Sequence, residues 1–561
     1  MWPRIFKLNP SAMRLCLLAL VVATGTCIKG AKAGPCIGDD PLFTAADSDD
    51  QVYYPVQPTQ EYAKVFSLDY DRTSKTIAIQ TSQEAITYEG NEQDGEKTLK
   101  KHFFRQCGST LEPPSDHVPN FVVDLPVRCV VITATPQIGY LMTLNHLDVA
   151  CVYIGDTEWV SDKCFTEKIN NGQILVFASE TEFADALEDP DHPDRDRLDE
   201  IMDSTQSLIF GPIYTDERLQ DNRYIPVMDV GLEYWEKTPQ AIFEWVELHG
   251  AMYNKENTAR KLTFIKEKRW QCVEKKVANV WSSELFERSS VQKPRVCWAY
   301  HLDYESDWGS YYGWVWANPC RPGGADDNAE DDYYCQLARA CGAELVTGES
   351  DGGWSSNIYD DAQTAAMFES CDSIIYSSYL RDIGEEPLKL LQDTTAYKNG
   401  RVFDTTKRGP SNWHELRLAM YDYLLEDFCA VAGTHSDVKE HRRMFLRRVD
   451  AEPEGEDPEC KMVEVDGEMM SCNTIGFLQQ CHRYPECKSV PGICEDQKRC
   501  INKNFRLRYT DTEGRRRAKR IFCRRVKKRA GRIRSKRFTC SNEDVARKCA
   551  KRCGECCPQL G

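Results

Sequence analysis

Several sets of residues in this 561-residue chain have types and spacings that could do chemistry. Aromatics are dense between positions 298 and 316, with four Trp and four Tyr in nineteen residues. Rings of that kind can lie against the flat or greasy faces of a large ligand while their polar tips hydrogen-bond its oxygens; the plainer use of the same rings, above all Trp298 and Trp316, is core packing. The run Gly348-Glu349-Ser350-Asp351-Gly352 fits a G-x-S-x-G nucleophile elbow, with Asp404 and His414 following in the order used by α/β-hydrolases. That motif needs a helix directly after the serine, and Gly352-Gly353-Trp354-Ser355-Ser356 is a poor helix start, so a loop is the better reading and no enzyme is expected. Asp189, Asp191, His192 and Asp194 are the one tight cluster of metal-ligand types, but Pro190 and Pro193 break the segment and a solvated loop explains it. The acidic run at 326–332 lacks the Gly and terminal Glu of a calcium loop.

The elements that must position such groups are organised around residues 238–280. Ile242, Trp245, Val246, His249, Met252, Tyr253, Leu262, Ile265, Trp270, Val273 and Val277 recur at three- and four-residue steps, which is a helical period. Thr238 is suited to an N-cap, Pro239 to the first helical position, and Asn254 and Asn257 to a break between two helices. Before this spine the chain alternates strand and helix signals, and after it does so again. The expected fold is therefore α/β, two Rossmann-like lobes joined by a long rigid helical spine, with a small disulfide-rich basic C-terminal module.

The first lobe opens with Arg128-Cys129-Val130-Val131-Ile132-Thr133, a helix, and Val149-Ala150-Cys151-Val152-Tyr153-Ile154-Gly155; later come Leu208-Ile209-Phe210-Gly211 and Glu236-Lys237-Thr238-Pro239. The second lobe has Arg295-Val296-Cys297-Trp298-Ala299-Tyr300, Ser373-Ile374-Ile375-Tyr376, and Asn399-Gly400-Arg401-Val402 before Trp413. This order resembles the substrate-binding proteins of the siderophore and vitamin B12 type, the class with a helical backbone. The resemblance implies a ligand held between the lobes and no resident cofactor, the bound molecule being an iron chelate. It also implies a membrane permease or reductase as partner. In such a fold the ligand lies outside the carboxyl ends of the strands. That selects Thr135, Gln137, Asp156, Trp159, Tyr214 and Trp235 in the first half, and Tyr300, Trp354, Tyr359, Tyr376, Arg408 and Trp413 in the second.

Boundaries follow from composition: residues 1–33 as a signal peptide, with an apolar run too short to span a bilayer; 34–120 as an N-terminal extension with a β-hairpin; 121–233 as lobe 1. The linking helices take 234–285, lobe 2 takes 293–433, an acidic linker 434–470, and a Cys-rich basic tail 471–561. The 26 cysteines favour disulfides in an oxidising compartment, so the expected location is the secretory pathway and then the extracellular space or cell surface. Cys320 and Cys335 are disulfide candidates in the body. Cys540, Cys549, Cys553 and Cys556 are candidates in the tail, where their spacing resembles the end of a ShK-like module as found on secreted proteins of diatoms and related algae; a zinc site is the competing reading of those four.

Charge separates body from tail. Residues 1–450 carry 45 Lys and Arg against 72 Asp and Glu, while residues 451–561 carry 26 against 16. An acidic body disfavours triply anionic ferric catecholates and suits neutral or cationic chelates, with a ferric hydroxamate favoured over a corrinoid such as cobalamin. The basic tail fits an anionic cell-wall polymer or silica rather than nucleic acid. A wall-associated structural protein that works through this tail, with the binding fold kept as scaffold, is the alternative.

Overall fold

The computed structural model describes residues 57, 60–80, 99–118, 121–211, 217–220, 225–231, 233, 236–281, 292–306, 309–317, 320, 333–348, 358–378, 380, 383–434, 443–457, 460, 462–465, 468–471, 505–510 and 516–521. The expected signal peptide and the four tail cysteines lie outside them.

The chain begins with a four-stranded sheet: β1 (Phe66–Tyr70), β2 (Ser74–Gln80), β3 (Leu99–Gln106) and β4 (Val122–Leu125). The first three are antiparallel and β4 runs parallel to β3. Lobe 1 follows, with β5 (Cys129–Ile132), α1 (Thr135–Thr143), β6 (Ala150–Ile154), α2 (Lys163–Asn170), β7 (Leu175–Phe177), β8 (Ser207–Gly211) and β9 (Val227–Asp229). All five strands are parallel, in the order β7-β6-β5-β8-β9. That is a doubly wound sheet whose direction of winding reverses between β5 and β8, the point where such sheets open a crevice. Thr133 marks it, its hydroxyl donating to the Phe210 carbonyl at 2.5 Å.

The spine is two helices, α3 (Pro239–Met252) and α4 (Glu256–Trp281). The Thr238 hydroxyl caps α3 by accepting from Ala241 N at 3.0 Å, and Asn254, at φ 55°, turns the chain into α4. The helices cross closely at Gly250, where a Cβ would stand 2.6 Å from that of Ala259. α3 is buried nearly all round because the N-terminal sheet covers one side and lobe 1 another. Glu244 accepts from the backbone N–H of Glu61, Tyr62 and Ala63, and Glu236 from those of Lys64 and Val65, which docks the strand leading into β1. The Tyr140 hydroxyl of α1 donates to Ile242 O at 2.8 Å, fixing lobe 1 on the spine.

Lobe 2 comprises β10 (Arg295–Ser306), β11 (Gly309–Trp316), α5 (Tyr333–Ala340), β12 (Glu344–Val346), β13 (Ile358–Tyr359), β14 (Ser373–Tyr376), β15 (Val402–Asp404), α6 (Asn412–Leu416), α7 (Tyr421–Ala432) and β16 (Arg447–Arg448). β12, β14 and β15 form a parallel core about the first half of β10. β10 then runs six residues past Tyr300 and turns back as β11, an antiparallel hairpin that the short strand read at 295–300 did not include. The spine holds lobe 2 through a buried ion cluster: Asp422 of α7 takes Lys266 at 2.8 Å and Arg269 at 2.6 Å. Burial alone would raise the Asp422 carboxyl; the two cations outweigh it and hold the carboxyl below its usual range.

The segment expected as a linker at 434–470 includes an ordered strap. Asp427 accepts from the backbone N–H groups of Met444, Phe445 and Leu446, and Arg447 pairs with Asp404, adding β16 to the sheet edge. The strap continues over the loop after β15, where a Cβ on Gly455 would stand 2.0 Å from the Lys407 carbonyl, and ends at Cys460, bonded to Cys164 of α2. Its acidity misled the linker reading: Glu452 is used internally, by Arg443, Lys407 and Arg448 N. Every cysteine among the described residues is disulfide-bonded, including the pairs Cys129–Cys151, Cys297–Cys371, Cys320–Cys335 and Cys341–Cys429. Among the described residues no helix is long and apolar enough to cross a membrane.

Candidate functional site

The carboxyl ends of the lobe 1 strands meet lobe 2 along a seam. From lobe 1 it is made by the start of α1 and by residues 155–163 after β6; from lobe 2 it is made by the loop after β15 and by α6. Contact across it is direct. Ser161 N donates to Glu415 Oε2 at 2.8 Å, Ser411 Oγ to Glu158 O at 2.9 Å, and Asn412 Nδ2 to Ser161 Oγ at 3.3 Å. α1 and α6 touch at Gly139, where a Cβ would stand 2.4 Å from the Glu415 carbonyl oxygen. Burial pushes the Glu415 carboxyl up to about 8, and Asp162 beside it adds to the shift.

The expected site residues divide by where their backbone places them. Thr135 opens α1, half-buried at the crevice. Asp156 and Trp159 stand exposed on the lobe 1 lip: the Asp156 carboxylate accepts from Glu158 N, and the Trp159 ring meets His414 of lobe 2 edge-on at 5.8 Å. Tyr300 and Tyr359 are half-buried at the hairpin side of lobe 2, opposite Val315 and Trp314. Arg408 is half-buried in the loop after β15; burial draws its guanidinium below the ordinary range, against the pull of Asp457, Asp162 and Glu415. Three residues are turned inward. Gln137 accepts through its side chain from Thr133 N at 3.1 Å, closing the first turn of α1. Tyr376 alternates onto the core face of β14, 6.1 Å from Trp314. Trp413 is 2 % exposed, packed at a tilt to Trp298 at 5.8 Å and edge-on to Phe445 at 5.9 Å. Tyr214, Trp235 and Trp354 lie outside the described residues, as does Ser350. Asp404 of the hydrolase-like trio is bound to Arg447 and Thr406.

Beneath the seam is a group of residues the sequence reading did not select. Arg417 lies over the Trp413 ring at 5.4 Å, with Nη1 donating to Trp413 O. It interacts electrostatically with Glu233, Tyr140, Tyr333 and His414, which come from four different segments. Glu233 is 5 % exposed, Tyr333 7 % and Tyr140 1 %, and both Glu233 Oε2 and the Tyr333 hydroxyl are buried without a hydrogen-bond partner. Such groups cost free energy unless something satisfies them. Burial lifts the Glu233 carboxyl to about 7, with Arg417 opposing. The group combines a half-buried guanidinium, a phenol and a carboxyl that can be neutral near pH 7, the polar types that hydrogen-bond an oxygen-rich molecule. Helical spacing from Trp413 to Arg417 was the available signal; Glu233 had none beyond its place just before the spine. Among the described residues no group of three or more His, Cys, Asp or Glu side chains is arranged to hold a metal ion.

No protein-family model matches the chain. No curated protein matches it either. Among solved structures it is similar to a periplasmic binding protein from Veillonella parvula, at 12 % identity and a TM-score of 0.36, over 60 % of this chain and 95 % of that one. A periplasmic heme binding protein from Pseudomonas aeruginosa matches at 11 % identity and a TM-score of 0.35, over 57 % and 96 %. An ABC-type Fe3+-hydroxamate transport system from Saccharomonospora viridis matches at 13 % identity and a TM-score of 0.34, over 55 % and 94 %.

Proposed function

We propose that the chain is an extracytoplasmic receptor that binds a ferric siderophore-like chelate between its lobes and delivers it to a membrane permease or reductase. The observation that carries this reading is the buried set of unsatisfied groups under the seam, Glu233 and Tyr333, around Arg417. Its position beneath the seam, near the carboxyl ends of the lobe 1 strands, supports the reading. A hydroxamate chelate is favoured over a catecholate. The Arg408 charge is answered within the protein by Asp457, Asp162 and Glu415, and a carboxyl at Glu233 disfavours a strongly anionic guest. Trp159 at the lip and Thr135, Tyr300 and Tyr359 at the walls complete the contact set. Cobalamin is the second chelate to test. The basic tail would retain the receptor at an anionic wall polymer or silica.

A second reading, a wall-associated protein that keeps the fold as scaffold, is favoured by the direct lobe-to-lobe hydrogen bonds of Glu415, Ser411 and Asn412. Equilibrium dialysis of the full chain separates the two. Saturable uptake of a ferric hydroxamate, and not of its iron-free form, supports the receptor. Tyr333→Phe should then weaken uptake about fivefold, the loss of one hydrogen bond of roughly 1 kcal/mol, with no fall in the melting temperature of the free chain. No uptake of hydroxamate, catecholate or cobalamin supports the scaffold.

A further inference from the structure

The seam between the lobes, though hydrogen-bonded directly, leaves polar atoms without partners. Glu415 Oε1, Asn412 Oδ1 and Asp457 Oδ1 are buried there without partners. The groups facing one another are mostly acids, Asp162 from lobe 1, Glu415 from lobe 2 and Asp457 from the strap, answered by Arg408 and by Lys163, whose Nζ stands 3.5 Å from Asp457 Oδ2. His414 and Arg417 border the same contact, and burial holds the His414 imidazole down at about 4, so it adds no cation at neutral pH. Three unsatisfied acceptors weaken this contact, so a covalent tie across it adds to what holds it shut.

The strap supplies that hold. Its first half is fastened to lobe 2 by Asp427, by the Arg447–Asp404 pair and by Lys407, which donates to Glu452 at 3.1 Å. Asp457 and Cys460 meet lobe 1, where the disulfide from Cys460 to Cys164 makes the attachment covalent across 296 positions of sequence. Among the described residues the other paired disulfides each join segments within one lobe. We propose that residues 443–457 together with Cys460 are a redox-released latch: with the Cys164–Cys460 bond closed the lobes stay joined across the seam, and its reduction by a dithiol lets them part. In that exchange the dithiol is oxidised to a disulfide, and Cys164 and Cys460 take up two electrons and two protons to become free thiols. Cys460, half-buried at the end of the strap, is the outer partner, while Cys164 is 5 % exposed on α2. The latch requires no ligand, so its failure leaves the receptor reading intact, and the reverse holds.

Amide hydrogen exchange on the full chain tests it, read at residues 156–163 and 409–417 and compared with β5 and β14. Cys164→Ser with Cys460→Ser should speed exchange in both seam segments at least tenfold and leave both strands unchanged. Cys320→Ser with Cys335→Ser, which removes a bond inside lobe 2, should leave the seam protected. Seam protection that survives loss of the Cys164–Cys460 bond overturns the latch. Should the first double variant not fold, limited dithiothreitol treatment of the natural chain, with alkylation mapping, decides the matter. Seam deprotection coinciding with free Cys164 and Cys460 supports the proposal. Continued protection with that bond open, or global unfolding before it opens, contradicts it.

Discussion

Glu415 lies at 0 % exposure between the lobes, accepting from the backbone of Ser161 and facing Asp162. Its folded-state carboxyl is raised to about 8, well above the range it has in an unfolded chain. The sign of the consequence is fixed by linkage: stability from the protonated carboxyl is complete at pH values below its unfolded pKa and is lost as pH rises toward about 8. Glu415→Gln keeps an acceptor for Ser161 N and removes the titration. The variant should therefore match the natural chain near pH 4 and exceed it progressively up to pH 8, by an amount on the order of 1–3 kcal/mol in chemical denaturation. A gap that stays constant with pH would show that this carboxyl titrates alike in the folded and unfolded chain, against the raised value. The same scale shows where sequence reading stops. Trp413 and Tyr376 were chosen as ligand contacts because they follow strand ends, yet period and packing send both rings into the core. Arg417 and Glu233 could not be paired from sequence, because 184 positions separate them and only the lobe-to-spine geometry brings them together.

Elements were far more legible than side-chain roles. The apolar steps at 238–280, with Thr238-Pro239 at the start and Asn254 at the break, carried both spine helices. The parallel strands of both lobes were readable as short β-branched runs, such as Val130-Val131-Ile132 and Ile374-Ile375. The strap was not readable, since its order comes from Asp427, Asp404 and a disulfide to a residue 296 positions away. One contact between elements is sharply testable. α1 and α6 approach so closely at Gly139 that a methyl group there would stand 2.4 Å from the Glu415 carbonyl oxygen, and α6 would have to move. Gly139→Ala should destabilise the chain by about 1–3 kcal/mol despite its helix-favouring side chain, and a melt against the natural protein measures it. A neutral or raised melting temperature would mean that the lobes are not in contact there.

At the scale of the whole molecule, charge and covalent structure point to the same setting. A body cross-linked by disulfides belongs to an oxidising compartment, and its acidity differs in sign from the basic tail that follows. The spine grips lobe 1 through Tyr140 and lobe 2 through Asp422, so a wide hinge motion would break buried contacts on one side or the other. On the proposed receptor reading, ligand entry would then be a local parting of the seam above the group formed by Arg417, Glu233 and Tyr333. Diffraction at the iron absorption edge, from crystals of the full chain grown with a ferric hydroxamate, locates the metal directly. One anomalous peak between the lobes, beside Tyr333 and Arg417, is the predicted result. Crystals of the chain grown with the chelate that show no iron between the lobes, or iron bound only on the outer surface, would contradict it.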